Sequence, residues 1–156
     1  MSITPFLWFN TQAEEAAHFY ASIFKNSKVG SISRYGDAGP GPKGAVMTVH
    51  FELDGQKFIG LNGGPNYSFN PAVSFMVTCE DQAEVDRYWE TLTRDGGKEI
   101  QCGWLVDKYG LSWQIVPKVF FELVSGGDAA RTQRVMKAML QMKKFDIAKL
   151  KEAAAG

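Results

Sequence analysis

Residues 4–24, TPFLWFNTQAEEAAHFYASIF, and residues 72–92, AVSFMVTCEDQAEVDRYWETL, are two versions of one pattern. Leu7 falls on Phe75, Phe9 on Val77, Ala17 on Val85, Tyr20 on Tyr88 and Phe24 on Leu92, so apolar groups coincide through a strand-like run and then a helix-like run. A repeat of this length is too long for a solenoid unit and suits two half-domains, each with an apolar face that has to be covered. The duplication leads us to expect two modules whose sheets curl around a shared cleft, and the function then depends on what lines it.

Outward from the first copy, Ile3 to Phe9 is β-branched and aromatic enough for a strand. Thr11-Gln-Ala-Glu14 matches a capping box, and Ala13, Ala17, Tyr20 and Phe24 form one helical stripe. Strands are expected at Lys28 to Tyr35 and Ala45 to Leu53, separated by the breaker-rich loop GDAGPGPKG, and Asp54-Gly55 turns the chain into Lys57 to Leu61. The unit reads βαβββ. The second copy repeats it: a strand at Ala72 to Thr78, a helix capped by Asp81 with Val85, Tyr88, Trp89 and Leu92 inside, and short strands near Glu99 to Cys102, Trp104 to Lys108 and Leu111 to Val116. Beyond Pro117, Asp128 and Asp146 are expected to cap two helices, the first carrying an apolar stripe of Val135, Met136, Met139 and Leu140. The expected class is α+β, with a doubled domain over 1–117 (modules about 3–62 and 72–117) and a helical tail over 118–156.

Composition narrows the function classes. Seventeen Lys and Arg balance seventeen Asp and Glu, and no cationic run exceeds Lys143-Lys144, so the electrostatic footprint of nucleic-acid binding is missing. No apolar run approaches the roughly 18 residues of a membrane span. Two cysteines, Cys79 and Cys102, do not require a bridge, and the expected setting is cytoplasmic. Nor does GDAGPGPKG suit a phosphate loop, which has to pass from a strand straight into a helix N-terminus, whereas this loop joins two strands.

The doubled unit with its helix signature FNTQAEEAAHFYASIF resembles the vicinal oxygen chelate superfamily, which includes glyoxalases, bleomycin-resistance proteins and extradiol dioxygenases. The stretches LNGGPNYSF, QCGWLVDKYGLSWQIVP and RVMKAMLQMKKFDIAKL are similar to its PhnB-like branch, whose domain carries a demethylubiquinone methyltransferase label. In the metal-using members, His or Glu ligands come from the first and last strands of each module. The resemblance places those positions at Thr4, Gly60, Ala72 and Gln114, none of which suits a divalent cation. It therefore implies a protein without metal or other cofactor. The methyltransferase label finds no support in the residues, because no glycine turn of a doubly wound sheet is visible to hold S-adenosylmethionine.

Strand alternation selects the candidate site. With Met47, Val49, Phe51 and Leu53 facing a helix, His50 and Glu52 fall on the opposite face, and the same phase turns Phe6, Trp8, Asn62, Ser74, Met76 and Gln114 that way. Trp104 is a further candidate for stacking on a flat ligand. His50 and Glu52 are the acid–base candidates, since imidazole side chains titrate near neutrality. Cys102 is a weaker candidate nucleophile, and Cys79, beside Glu80 and Asp81, is expected to be inert. The leading expectation is a homodimeric, metal-independent protein that binds a hydrophobic or aromatic small molecule. The competing expectations are an enzyme using His50 and Glu52 (a lyase, an isomerase or a quinone-directed transferase) and a purely structural dimer module.

Overall fold

The computed structural model describes all residues from Met1 to Gly156, and the chain is α+β with two compact units, Met1–Phe69 and Asn70–Gly156. The first contains β1 (Phe6–Phe9), α1 (Ala13–Ile23), β2 (Lys28–Arg34), β3 (Val46–Leu53) and β4 (Gln56–Asn62). The second contains β5 (Ser74–Cys79), α2 (Gln82–Thr93), β6 (Lys98–Glu99), β7 (Trp104–Val106) and β8 (Ser112–Pro117), then α3 (Lys118–Val124), α4 (Ala129–Met139) and α5 (Ile147–Ala155). The strand orders are β1-β4-β3-β2 and β5-β8-β7-β6, so the duplication extends from sequence to sheet topology. In both sheets the first and last strands of the module run parallel and the others pair antiparallel.

Each sheet buries the face that carries its helix. In the first unit, Leu7, Phe9, Val49, Phe51, Leu53 and Phe58 lie under Ala13, Ala16, Ala17, Tyr20 and Ile23 of α1, and the Phe51 and Phe58 rings stack 5.3 Å apart. Each large apolar group buried in this way contributes about 1.5–3 kcal/mol. Small residues set the spacing: a Cβ on Gly60 would stand 3.2 Å from the Ala13 Cβ, so glycine in β4 admits α1 close to the sheet. Asp54 and Gly55, both at positive φ, form the tight turn that fixes the β3–β4 register, with Glu52 opposite Lys57 and His50 opposite Ile59.

The second unit buries Val85, Tyr88, Trp89 and Leu92 of α2, the expected stripe. Its β7–β8 turn is built around Asp107, which is only 2% exposed. The carboxylate accepts from the Trp113 indole N–H at 2.9 Å and from the backbone N–H groups of Tyr109 and Leu111 at 2.9 and 3.1 Å. Much of the QCGWLVDKYGLSWQIVP stretch therefore serves this turn and the packing beneath it.

The helices after Pro117 pack within the second unit. Val135, Phe145 and Leu150 are buried, and the N–H groups of Cys102 and Gly103 donate to the carbonyls of Met142 and Lys143 at 2.8 and 2.7 Å. The Gln82 side chain holds the same loop from the other side, donating to Phe145 O at 3.0 Å and accepting from Ile147 N–H at 2.9 Å. No helix is long and apolar enough to cross a membrane.

Several local expectations are corrected. The capping box at Thr11 does not form. Gln12 is the N-cap of α1 and makes no side-chain cap bond, while the Ala13 N–H is taken by Asn62 Oδ1, 2.8 Å away on β4. Asp81, Asp128 and Asp146 do cap α2, α4 and α5, each accepting from the N–H three residues on. Helix α3 was not anticipated, since KVFFELV reads as well for a strand. The stripe expected along α4 is only partly buried: Val135 is inside, but Met136 and Leu140 are exposed.

Candidate functional site

The face of each sheet opposite its helix carries most of the candidate residues, and register shows how they are arranged. In the first unit, residues directly across neighbouring strands make three rows: Lys57–Glu52–Lys28, then Phe6–Ile59–His50, then Trp8–Leu61–Thr48–Ser33. Side chains across such a pair have Cβ atoms about 4.5–5.5 Å apart, so each row is a contiguous strip. A β-bulge between Val29 and Ile32 places the extra residue of β2 opposite His50, and Gly30 there leaves the strip open at its end. Here lies a concavity of about 310 Å³, lined by Thr4, Lys28, Gly30, His50, Glu52, Lys57 and Ile59.

His50 is exposed on this face while its neighbours Val49 and Phe51 are buried on the other. Glu52 is the less exposed member of an ion pair with Lys28, N···O 3.5 Å. Two strand residues on one face stand roughly 6–7 Å apart along the chain, and the carboxylate is engaged across the sheet, not with His50. Phe6 is 56% exposed, and Trp8 is half-buried, its indole N–H held by Gly64 O at 2.9 Å and its ring edge-on to Tyr67 at 5.0 Å.

Asn62 belongs elsewhere. It is in register with the buried Phe9 and two residues after Gly60, so it points to the helix side. There its amide caps α1 and donates to Val46 O at 3.2 Å. The ligand-binding expectation for Asn62 is thereby corrected: Phe58, Gly60 and Asn62 alternate on the helix side of β4, so the phase expected for this strand is reversed. Gly60 also faces α1, and the open-face positions of β4 are Ile59 and Leu61, which are no better as metal ligands.

In the second unit, Met76, Gln114 and Trp104 form one cross-strand row, and Gln114 Nε2 donates to Ser74 Oγ at 2.9 Å. The structure brings these four expected residues together on one sheet, none of them ionisable. Trp113 faces α2 and is buried. Cys102 is half-buried at φ +59°, its backbone committed to the tail loop. Cys79 is fully buried, and burial, reinforced by Glu84, pushes its thiol up to about 12, so it remains protonated and unreactive. Sequence reading missed Lys28, Lys57, Gly30 and Ile59. The Asp54-Gly55 turn contained the signal for two of them, because a two-residue hairpin fixes Lys57 and Ile59 opposite Glu52 and His50.

The family described as 3-demethylubiquinone-9 3-methyltransferase matches residues 1–116. A PhnB protein from Bacillus cereus is 41% identical, with a TM-score of 0.68 over 75% of this chain and 99% of that one. The chain belongs to this PhnB-like family of the vicinal oxygen chelate superfamily. Protein PA1353 from Pseudomonas aeruginosa (20% identity, TM-score 0.61, covering 75% and 97%) shares the fold. So does a fosfomycin resistance protein, FosX, from Listeria monocytogenes (13%, 0.58, covering 81% and 98%). No curated protein matches the chain in sequence. Residues from Lys118 onward lie beyond the family match.

The superfamily's metal does not fit these residues. No group of three His, Cys, Asp or Glu side chains is placed to hold an ion. The open faces offer His50 and Glu52 from one strand, the cationic Lys28 and Lys57 beside them, and otherwise hydroxyls, an amide and apolar groups, well short of the two or three strong donors a divalent ion requires. S-adenosylmethionine, implied by the family description, fares no better. The strand-to-helix turns at 10–12 and 80–81 contain no glycine, and the N-terminus of α2 is already occupied by the Asp81 carboxylate.

Proposed function

We propose that the chain is a metal-independent small-molecule-binding protein that holds a hydrophobic or aromatic ligand. The observation that carries this reading is the open face of the first sheet. An exposed phenylalanine, Phe6, lies in one row with Ile59 and His50 beside a concavity of about 310 Å³, and no metal-ligating set is present. Concave, largely apolar sites with few polar groups are the usual form of small-molecule sites. Ser74, Met76, Trp104 and Gln114 offer a second surface of neutral polar and stacking groups on the other sheet. The binding fold occupies 1–117 in this reading, with 118–156 an added helical tail. Exposed Met136 and Leu140 support a homodimer, which a monomer mass by light scattering would remove, and two unbridged cysteines suit the cytoplasm. Acid–base catalysis by His50 and Glu52 has less support, because Glu52 is engaged by Lys28.

Thermal-shift measurements with neutral and charged aromatics, quinones and aldehydes test the reading. A ligand present at 100 times its dissociation constant stabilises the native state by about 2.7 kcal/mol. Phe6→Ala should reduce the response, and elemental analysis should find no stoichiometric metal. One tightly bound zinc, nickel, manganese or iron ion per chain would end the metal-independent reading.

A further inference from the structure

The concavity on the first sheet is unevenly charged. Glu52 lies in the middle of its row, with Lys57 opposite on β4 and Lys28 opposite on β2. Lys28 pairs with Glu52, while Lys57 forms no ion pair within the chain. His50, in the neighbouring row, adds an N–H donor at the same concavity, and Thr4 adds a hydroxyl. Two ammonium groups and an imidazole thus surround one carboxylate, leaving one cation unneutralised next to the apolar strip formed by Ile59 and Phe6.

A neutral aromatic would use the strip and leave Lys57 idle. A small organic anion uses both. We propose that the concavity binds a small amphiphilic anion, with its carboxylate or equivalent acid group between Lys57 and His50 and its apolar body on Ile59 and Phe6. This rests on the small-molecule reading above and adds the charge of the ligand. Glu52 tunes the site: it holds Lys28 in place and opposes a second negative charge, which favours monoanions over polyanions. Lys57 and Lys28 are exposed, so their attraction for the anion is reduced by salt.

The test is calorimetric titration at low ionic strength with benzoate and with benzamide, a neutral probe of the same shape. Wild-type protein should bind benzoate at least about tenfold more tightly, corresponding to ~1.4 kcal/mol. Lys57→Met should remove that preference, bringing benzoate affinity down to that of benzamide measured on the same variant. Glu52→Gln should increase the preference, since it removes the opposing charge and frees Lys28. Equal affinity for the two probes, or an undiminished preference in Lys57→Met, overturns the anion assignment and leaves the small-molecule reading standing. If neither probe binds and no compound in the thermal-shift panel does, the binding reading itself fails and takes this inference with it.

Discussion

The two copies of the βαβββ unit share strand order and helix placement but differ in how their helices start and in what their open faces carry. Helix α2 is capped locally, by Asp81 one residue before it, whereas α1 borrows Asn62 from a strand 49 residues further along. The open face of the first sheet carries His50, Glu52, Lys28 and Lys57, while its counterpart carries Ser74, Met76, Gln114 and Trp104. Duplication preserves the buried face because that face sets the fold. The open face is free to diverge because a polar or charged group there costs the core nothing, and it is where the copies have become chemically distinct.

The second copy is also the only one with an added element. Phe145, 1% exposed, fits over Gly103, where a Cβ would stand 2.3 Å from its ring, and it packs against Phe120 at 5.2 Å. Phe145→Ala should cost about 3–5 kcal/mol by denaturant unfolding, the usual range for a buried phenylalanine. Hydrogen exchange should show the loss concentrated in amides of 70–156. Equal loss of protection in 1–69 would break the contrast between the copies.

A smaller effect sharpens the contrast between the helix starts. Asp81→Ala removes a local cap and should cost about 1 kcal/mol. Asn62→Ala removes a partner from the Ala13 N–H and another from the Val46 carbonyl, both part-buried, and should cost about 1–3 kcal/mol. The order of the two costs is the expected outcome, and Asn62→Ala measuring cheaper than Asp81→Ala reverses it.

Period and punctuation made the scaffold legible. The copies of the strand–helix pattern, the Asp-Gly turn and the aspartate caps each act within a few residues, so spacing alone reports them. Asn62 points to the helix side because it shares a strand face with Phe58 and Gly60, and the glycine between them leaves the apolar alternation of β4 too weak to reveal its phase. Helix α3 escaped because Val, Phe and Leu in a seven-residue run satisfy either period. The positions of His50 and Glu52 followed from alternation, but the partner of Glu52 did not. Lys28 reaches it through a register interrupted by a bulge, and bulges leave no reliable trace in the sequence. Met136 and Leu140 matched a helical stripe, yet a stripe states only that a face is apolar, not that anything covers it.

The smallest expected effect concerns how the tail is held to α2, for which the first copy has no equivalent. Asp86 on α2 accepts from Lys144 Nζ at 2.6 Å and from Gln82 Nε2 at 3.0 Å. The bond from Lys144, with the one from Gln82 second, holds its carboxyl below the usual aspartate range. A lowered native value means that the folded state favours the charged carboxylate. Its stabilising contribution is therefore complete above the ordinary aspartate value and is lost as pH falls through the native one. Lys144 and Asp86 are both more than a third exposed, so solvent screens the pair and Asp86→Asn should cost under about 1 kcal/mol at neutral pH. The stability difference between wild type and Asp86→Asn should hold steady from neutral pH down to about pH 4, near the ordinary aspartate value, and shrink below it. A difference that persists unchanged into stronger acid would show that Asp86 acts through packing and not through its charge, leaving Gln82 as the polar link between α2 and the tail.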